Sequence, residues 1–326
     1  MAIARPLSLV LALGLVAGCL GDVPGGGDVV DTDKPEKKDP PPATVPVDPH
    51  LPPTGTTLAS PLRVEVTGTG WLLVTDSKRR MVFRVDTATL LPDQALRLDA
   101  TPLAVGMLGD QIFVGIRERQ TVEMFDASGR AIGPLGDVGA VAHPSDLAID
   151  GGEGMVFVLD GRAGDIKVFD VADRSLTGTI AAGQLRSPAG VAVDPGRMEV
   201  WVSDYGASGV AASIKSFSYD PETWGIFLGE ISGEGTCGSL GCSGGFSRPR
   251  GLAVDSARVY VTDAVLAQVL MFDHVTGASA GALGTGDPVV SDLRVPTDVD
   301  VDGAGSVFVT STHTGRVVRF RTGGAP

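Results

Sequence analysis

Residues 187–194 read SPAGVAVD, and the phrase returns as HPSDLAID at 143–150, RPRGLAVD at 248–255 and VPTDVDVD at 295–302. Each copy runs Pro-x-x-(Leu/Val)-x-(Val/Ile)-Asp. Apolar side chains on alternate residues are the signature of a β-strand with one face buried. Pro at the start and Asp at the end are residues that punctuate strands and turns. Working outward, the Pro recurs at 61, 102, 144, 188, 249 and 296, in steps of 41, 42, 44, 61 and 47. The phrase therefore marks six successive units.

The fifth unit displays the full pattern. GLAVD (251–255) leads to RVYVTD (258–263), then QVLMFD (268–273), then the weaker ASAGALG (278–284). Units one and two lack the terminal Asp of the first run (LRVEVTG and LAVGMLG) but keep the rest, as WLLVTD with RMVFRVD and QIFVGI with TVEMFD. A strand-rich repeat with a period in the forties predicts the blades of a β-propeller. The runs resemble the NHL repeat, best in units three, four and five, over about residues 60–326. The resemblance implies an all-β, six-bladed propeller of four-stranded blades across 55–326. It says little about function, because this fold carries lyases, lactonases, sensors and scaffolds. Unit six stops at its third run, GRVVRFR (315–321), so GTTLAS (55–60) is expected to supply the missing outer strand and close the ring.

The N-terminus reads as an export signal. Arg5 precedes an apolar run, Leu7–Val16, that is too short to span a bilayer. It ends in LVAGC, which resembles the lipobox of bacterial lipoproteins. That resemblance implies removal of 1–18, acylation of Cys19 with palmitate-type chains, and a lipid-anchored place in the bacterial cell envelope. Leu20, where an Asp would retain such a protein, implies the outer membrane. Residues 19–54 are rich in Pro, Gly and charge and are expected to be a disordered tether. With a net charge of −13, the chain is a poor candidate for nucleic-acid binding.

If the inner strand starts at the upper mouth of the channel, the residues after each Pro face that mouth. In lactonases of related form this position carries Asn or Asp metal ligands, and in the peptide-amidating lyase it carries His. Here it holds Leu62, Leu103, Ser145, Ala189, Arg250 and Thr297, so no catalytic residue and no cofactor are expected. The next position holds Arg63, Ala104, Asp146, Gly190, Gly251 and Asp298. Asp146 and Asp298, from opposite blades, are the weak candidates for a hard cation. His143, His274 and His313 fall at different places in their units and do not converge.

Two further features point to the upper face. Cys237 and Cys242, in GTCGSLGCSGG, suit a disulfide across a small loop between blades four and five. The turns from second to third strand carry Lys78, Arg79, Arg80, Arg117, Arg119 and Arg162, with Arg63 at the mouth. Phe246, Arg248 and Arg250 come after the cysteine loop. These residues form the candidate binding face, suited to an envelope protein or an anionic polysaccharide. The reading is a non-catalytic binding or scaffold module. Its alternative is a lactonase- or lyase-like enzyme using channel-mouth residues.

Overall fold

The strand Arg258–Asp263 shows how the repeat packs. Val259 and Val261 enter one apolar core while Tyr260, between them, enters the next. A strand buried on both faces in this way must lie within a stack of sheets. The computed structural model describes residues 58–232, 236–238, 241–243, 245–284 and 293–322. In it the described strands form six antiparallel blade sheets arranged as a ring, a six-bladed β-propeller, and one small two-stranded hairpin.

Blade one comprises β1 (Pro61–Val66), β2 (Trp71–Asp76), β3 (Met81–Asp86) and β4 (Pro92–Arg97). Blade two comprises β5 (Pro102–Leu108), β6 (Gln111–Ile116), β7 (Thr121–Asp126) and β8 (Ala131–Leu135). Blade three comprises β9 (Pro144–Asp150), β10 (Met155–Asp160), β11 (Asp165–Asp170) and β12 (Leu176–Ile180). Blade four comprises β13 (Pro188–Asp194), β14 (Glu199–Asp204), β15 (Ser213–Ser218) and β16 (Phe227–Ser232). A hairpin of β17 (Thr236–Gly238) and β18 (Gly241–Ser243) comes next. Blade five comprises β19 (Pro249–Val254), β20 (Arg258–Asp263), β21 (Gln268–Asp273) and β22 (Ser279–Leu283). Blade six shows β23 (Pro296–Val301), β24 (Ser306–Ser311) and β25 (Arg316–Arg321).

Each seam between blades is an apolar core. The seam from blade six to blade one joins Phe308 and Val317 to Val64, Leu72, Val74 and Phe83, so the ring closes. Closure departs from expectation in one respect. Leu58, Ala59 and Ser60 are not strand; they lead into β1. Leu58 is buried in the six-to-one seam, and its carbonyl lies 2.2 Å from where a Cβ on Gly315 would stand. Leu98 holds the corresponding place in blade one, just beyond β4, with its N–H on the Arg80 carbonyl. A strand pairing with β25 would thus end before Leu58, and residues 55–57 lie outside the described residues.

The repeated Pro-x-x has a structural cause. All six inner strands have a register shift, a β-bulge, immediately after the Pro. A bulge bends the strand and re-aims the next side chains toward the ring centre. The terminal Asp caps the turn after it, as expected from its position. Asp150 Oδ1 accepts the N–H groups of Gly152 and Glu153, Asp194 that of Gly196, Asp255 those of Ala257 and Arg258, and Asp302 those of Ala304 and Ser306.

A second set of Asp residues holds the upper face. Asp76, Asp160, Asp204 and Asp263 end the second strands and are buried. Each accepts N–H groups from the segment entering its own blade, such as Ala59, Ala142, Ser187 and Arg248. Each also accepts one or two from its own turn, such as Arg79, Ala163, Gly206 and Leu266. In blades two and six, Glu118 and Ser311 Oγ take over, on Thr101 and Arg294. The extra length of unit four lies in 205–212 and 219–226 as well as in the cysteine loop.

Candidate functional site

An inner strand has no partner on its channel side, so its backbone N–H groups need acceptors. Acidic side chains supply several of them. Asp146 accepts the Val191 N–H of blade four at 2.9 Å. Asp298 and Asp300 accept those of Val64 and Val66 in blade one, at 2.8 and 2.6 Å. These carboxylates stitch neighbouring inner strands together around the channel.

Arg63 crosses this ring. It is 4 % exposed and lies beneath the mouth, not on an open basic face. Its Nη1 stands 3.1 Å from Asp146 Oδ2 and 3.3 Å from Asp298 Oδ1. Its Nη2 donates to the carbonyls of Ser145 (2.8 Å) and Ala189 (2.5 Å). One guanidinium from blade one therefore joins blades three, four and six. Asp146 and Asp298 do converge from opposite blades, as their positions predict, but the cation between them is a side chain of the chain itself. A planar fork of donors suits two carboxylates and two carbonyls better than an ammonium would. Gly190 and Gly251 keep this layer tight. A Cβ at Gly251 would stand 2.1 Å from Asp298 Oδ1, and one at Gly190 would stand 2.3 Å from the Arg250 carbonyl.

Below the arginine the channel opens into a cavity of about 240 Å³ walled by Val64, Val105, Val191 and Val254, with Glu65 and Asp300 among its lining. Four carboxyl groups line this cavity, and the Arg63 guanidinium meets two of them, Asp146 and Asp298. Burial, reinforced by Asp300, holds the Glu65 carboxyl well above the usual range. Burial raises Asp298 similarly despite Arg63, and Asp300 is pushed up to about 6. Burial works against the charge on Arg63, but Asp146 and Asp298 more than offset it and raise its pKa.

The remaining candidate residues divide by exposure. Lys78, Arg80, Arg117, Arg162 and Arg248 are exposed on the upper face. Arg79 is half-buried, and its N–H is held by Asp76. Arg119 is committed to Asp99, at 2.5 Å, and to Glu123. Arg80 donates to the Asp99 carbonyl. His143, near Arg117 and Arg162, has its pKa lowered by burial and then by these two cations. Arg250 donates to the Tyr205 hydroxyl at 2.6 Å, and the Arg248 guanidinium lies 5.6 Å from the same ring. Phe246 is 7 % exposed and packs on Phe272, so it is core rather than binding surface. In the β17–β18 hairpin, Cys237 and Cys242 are register partners.

Sequence reading missed the arginine crossing, the Glu65–Asp300 pair and Tyr205. A signal for the first was present. The ring position two after each Pro holds one Arg, two Asp and three small residues, which is a complementary set.

No family model matches the chain, and no curated protein matches it. Among solved structures, the chain is similar to Kuenenia stuttgartiensis hydrazine synthase, with a TM-score of 0.59 and 14 % identity, covering 84 % of this chain and 99 % of that one. It is also similar to a structural-genomics protein of unknown function from Bacteroides thetaiotaomicron VPI-5482, with a TM-score of 0.59 and 16 % identity, covering 82 % of this chain and 70 % of that one. At such low identity the likeness concerns the fold alone.

Proposed function

We propose that this is an envelope lipoprotein, anchored through Cys19, whose NHL-like propeller is a non-catalytic module binding an anionic partner on its upper face. The observation that carries the reading is the Arg63 crossing. Asp146 and Asp298, the carboxylates that converge below the mouth, are engaged by a resident guanidinium and by backbone N–H groups. The upper face around it presents Lys78, Arg117, Arg162 and Arg248. An acidic envelope protein or an anionic polysaccharide meets such a face by charge complementarity. A disulfide between Cys237 and Cys242 fits this reading. Directly opposed residues on an antiparallel pair have Cα atoms about 4.5–5.5 Å apart, within the span a disulfide needs.

The test is capture from envelope fractions with the triple variant Lys78→Glu, Arg117→Glu and Arg162→Glu. Capture at low salt should fall at least tenfold and should weaken with added salt in the native protein. Undiminished capture by the triple variant would place the binding surface elsewhere. The rival enzymatic reading rests on Glu65 and Asp300 in the lower channel, whose carboxyls burial holds above the usual range. Lactone hydrolysis that is lost in Glu65→Gln would favour it.

A further inference from the structure

The turns from third to fourth strand lie on the opposite, lower face, and each has one residue with a left-handed backbone. These are Leu90 (φ 58°), Gly129 (77°), Arg174 (59°), Gly225 (74°) and Gly277 (67°) in blades one to five. Their equivalence is set by hydrogen bonding. The N–H groups of Asp86, Asp126, Asp170, Ser218 and Asp273 bond to the carbonyls of Leu91, Arg130, Ser175, Ile226 and Ala278, each one residue beyond the left-handed position.

What the turn carries decides how it meets the preceding blade. Leu90 packs into the seam with blade six. Arg174 of blade three covers Gly133 of blade two, where a Cβ would stand 3.2 Å from its Nη1. Trp224, just before Gly225, covers Gly178 of blade three, where a Cβ would stand 2.8 Å from its ring. Gly133 and Gly178 lie in the outer strands opposite Met124 and Val168. Each glycine is thus the floor of a socket that the next blade fills.

Between blades four and five the socket repeats without its filler. Gly229 lies opposite Ser216, and the nearest atom to a Cβ at Gly229 would be Ser216 Oγ, at 3.8 Å. The turn of blade five offers Gly277, and the residue aligned with Trp224 is Thr276. The result is a groove of about 320 Å³ lined by Trp201, Ser216, Leu228, Ile231 and Val275. Its floor is fixed. Trp201 Nε1 donates to Glu199 Oε2 (3.2 Å), His274 Nε2 meets the same oxygen (3.1 Å), and the His274 ring stands edge-on to Trp201. Its lips are apolar, with Leu228 47 % and Val275 78 % exposed. Glu199 and Glu230 add negative charge, and Arg197, 3.5 Å from Asp194, lines the same groove.

We propose that this groove receives an aromatic side chain of a protein partner, seated over Gly229 as Trp224 is seated over Gly178, with a basic residue beside it. A flat ring fills a preformed slot with apolar lips at little entropic cost, which is why such anchors dominate interfaces. Glu230, on the exposed lip, selects the basic neighbour, since Glu199 already meets Trp201 and His274 and Arg197 is paired with Asp194.

The probe is the capped peptide Lys-Trp-Lys, followed through the Trp201 indole N–H resonance. Native protein should show a saturable shift. Two variants close the groove from different sides: Ser216→Leu fills the floor, and Thr276→Trp, at an exposed turn, supplies the missing filler. Each should weaken the peptide at least tenfold while Arg63 and the channel remain untouched. Absence of a shift in the native protein, or native affinity in either variant that remains folded, would overturn the proposal. Should Ser216→Leu fail to fold, Thr276→Trp decides the matter.

Discussion

Replacing Arg63 by methionine keeps an apolar stem and removes the guanidinium. Nη1 and Nη2 together contact Asp146, Asp298 and the carbonyls of Ser145 and Ala189, in a buried layer. Breaking a buried ion pair from one side costs about 3–5 kcal/mol. Here the two carboxylates already hold protons more tightly than usual, so protonation relieves part of the loss and about 4 kcal/mol is expected near pH 7.5. For a domain of this size each kcal/mol lowers Tm by about 2–4 °C, which predicts a fall of roughly 8–16 °C. The assay is urea and thermal unfolding at pH 7.5 and pH 5. The deficit should shrink at pH 5, where protons replace the missing cation. Arg63→Met combined with Asp146→Asn and Asp298→Asn should recover most of it, because the uncompensated charge is gone. A single variant within about 1 kcal/mol of the native protein at both pH values would refute the argument that Arg63 is the resident counter-ion of the ring.

Asp300, raised to about 6, binds protons more tightly folded than unfolded, so its contribution is neutral below about pH 4 and becomes destabilising as pH rises through 6. The full effect is at most about 3 kcal/mol, and Asp300→Asn should flatten the stability profile between pH 4 and 7 in urea titrations. His143 should titrate below its ordinary value by NMR, and Arg117→Gln should move it back up, since that cation helps depress it. Asp160→Ala, which strips acceptors from the N–H groups of Ala142, His143, Arg162 and Ala163, should cost about 3 kcal/mol or more by chemical denaturation. Asp194→Ala, with one such N–H bond, should cost about 1 kcal/mol. Gly251→Ala should lower Tm strongly, because its Cβ would meet backbone of blade six at 2.3 Å.

Much of the architecture was legible without coordinates. The runs RVYVTD and QVLMFD coincide with β20 and β21, because period-two apolar alternation and turn residues are local properties. Blade number came from counting Pro. The outer strand of blade six was misplaced at its end, since 58–60 lead into β1 rather than pairing; edge strands have weak patterns, with solvent on one side.

Which residues meet at the centre was a different matter. Arg63 finds its partners 82, 126 and 235 residues away, on three blades. Only closure of the ring makes these neighbours, and only the depth of the bulge turns a residue of the mouth into one buried beneath it. By itself, the sequence determined that six units of strand and turn exist and that they alternate polar with apolar. The tertiary structure decided that one arginine would serve two aspartates, that Phe246 would be core, and that a glycine and a serine on blade four would leave a socket open. These outcomes depend on distances across the ring, which short-range pattern does not encode.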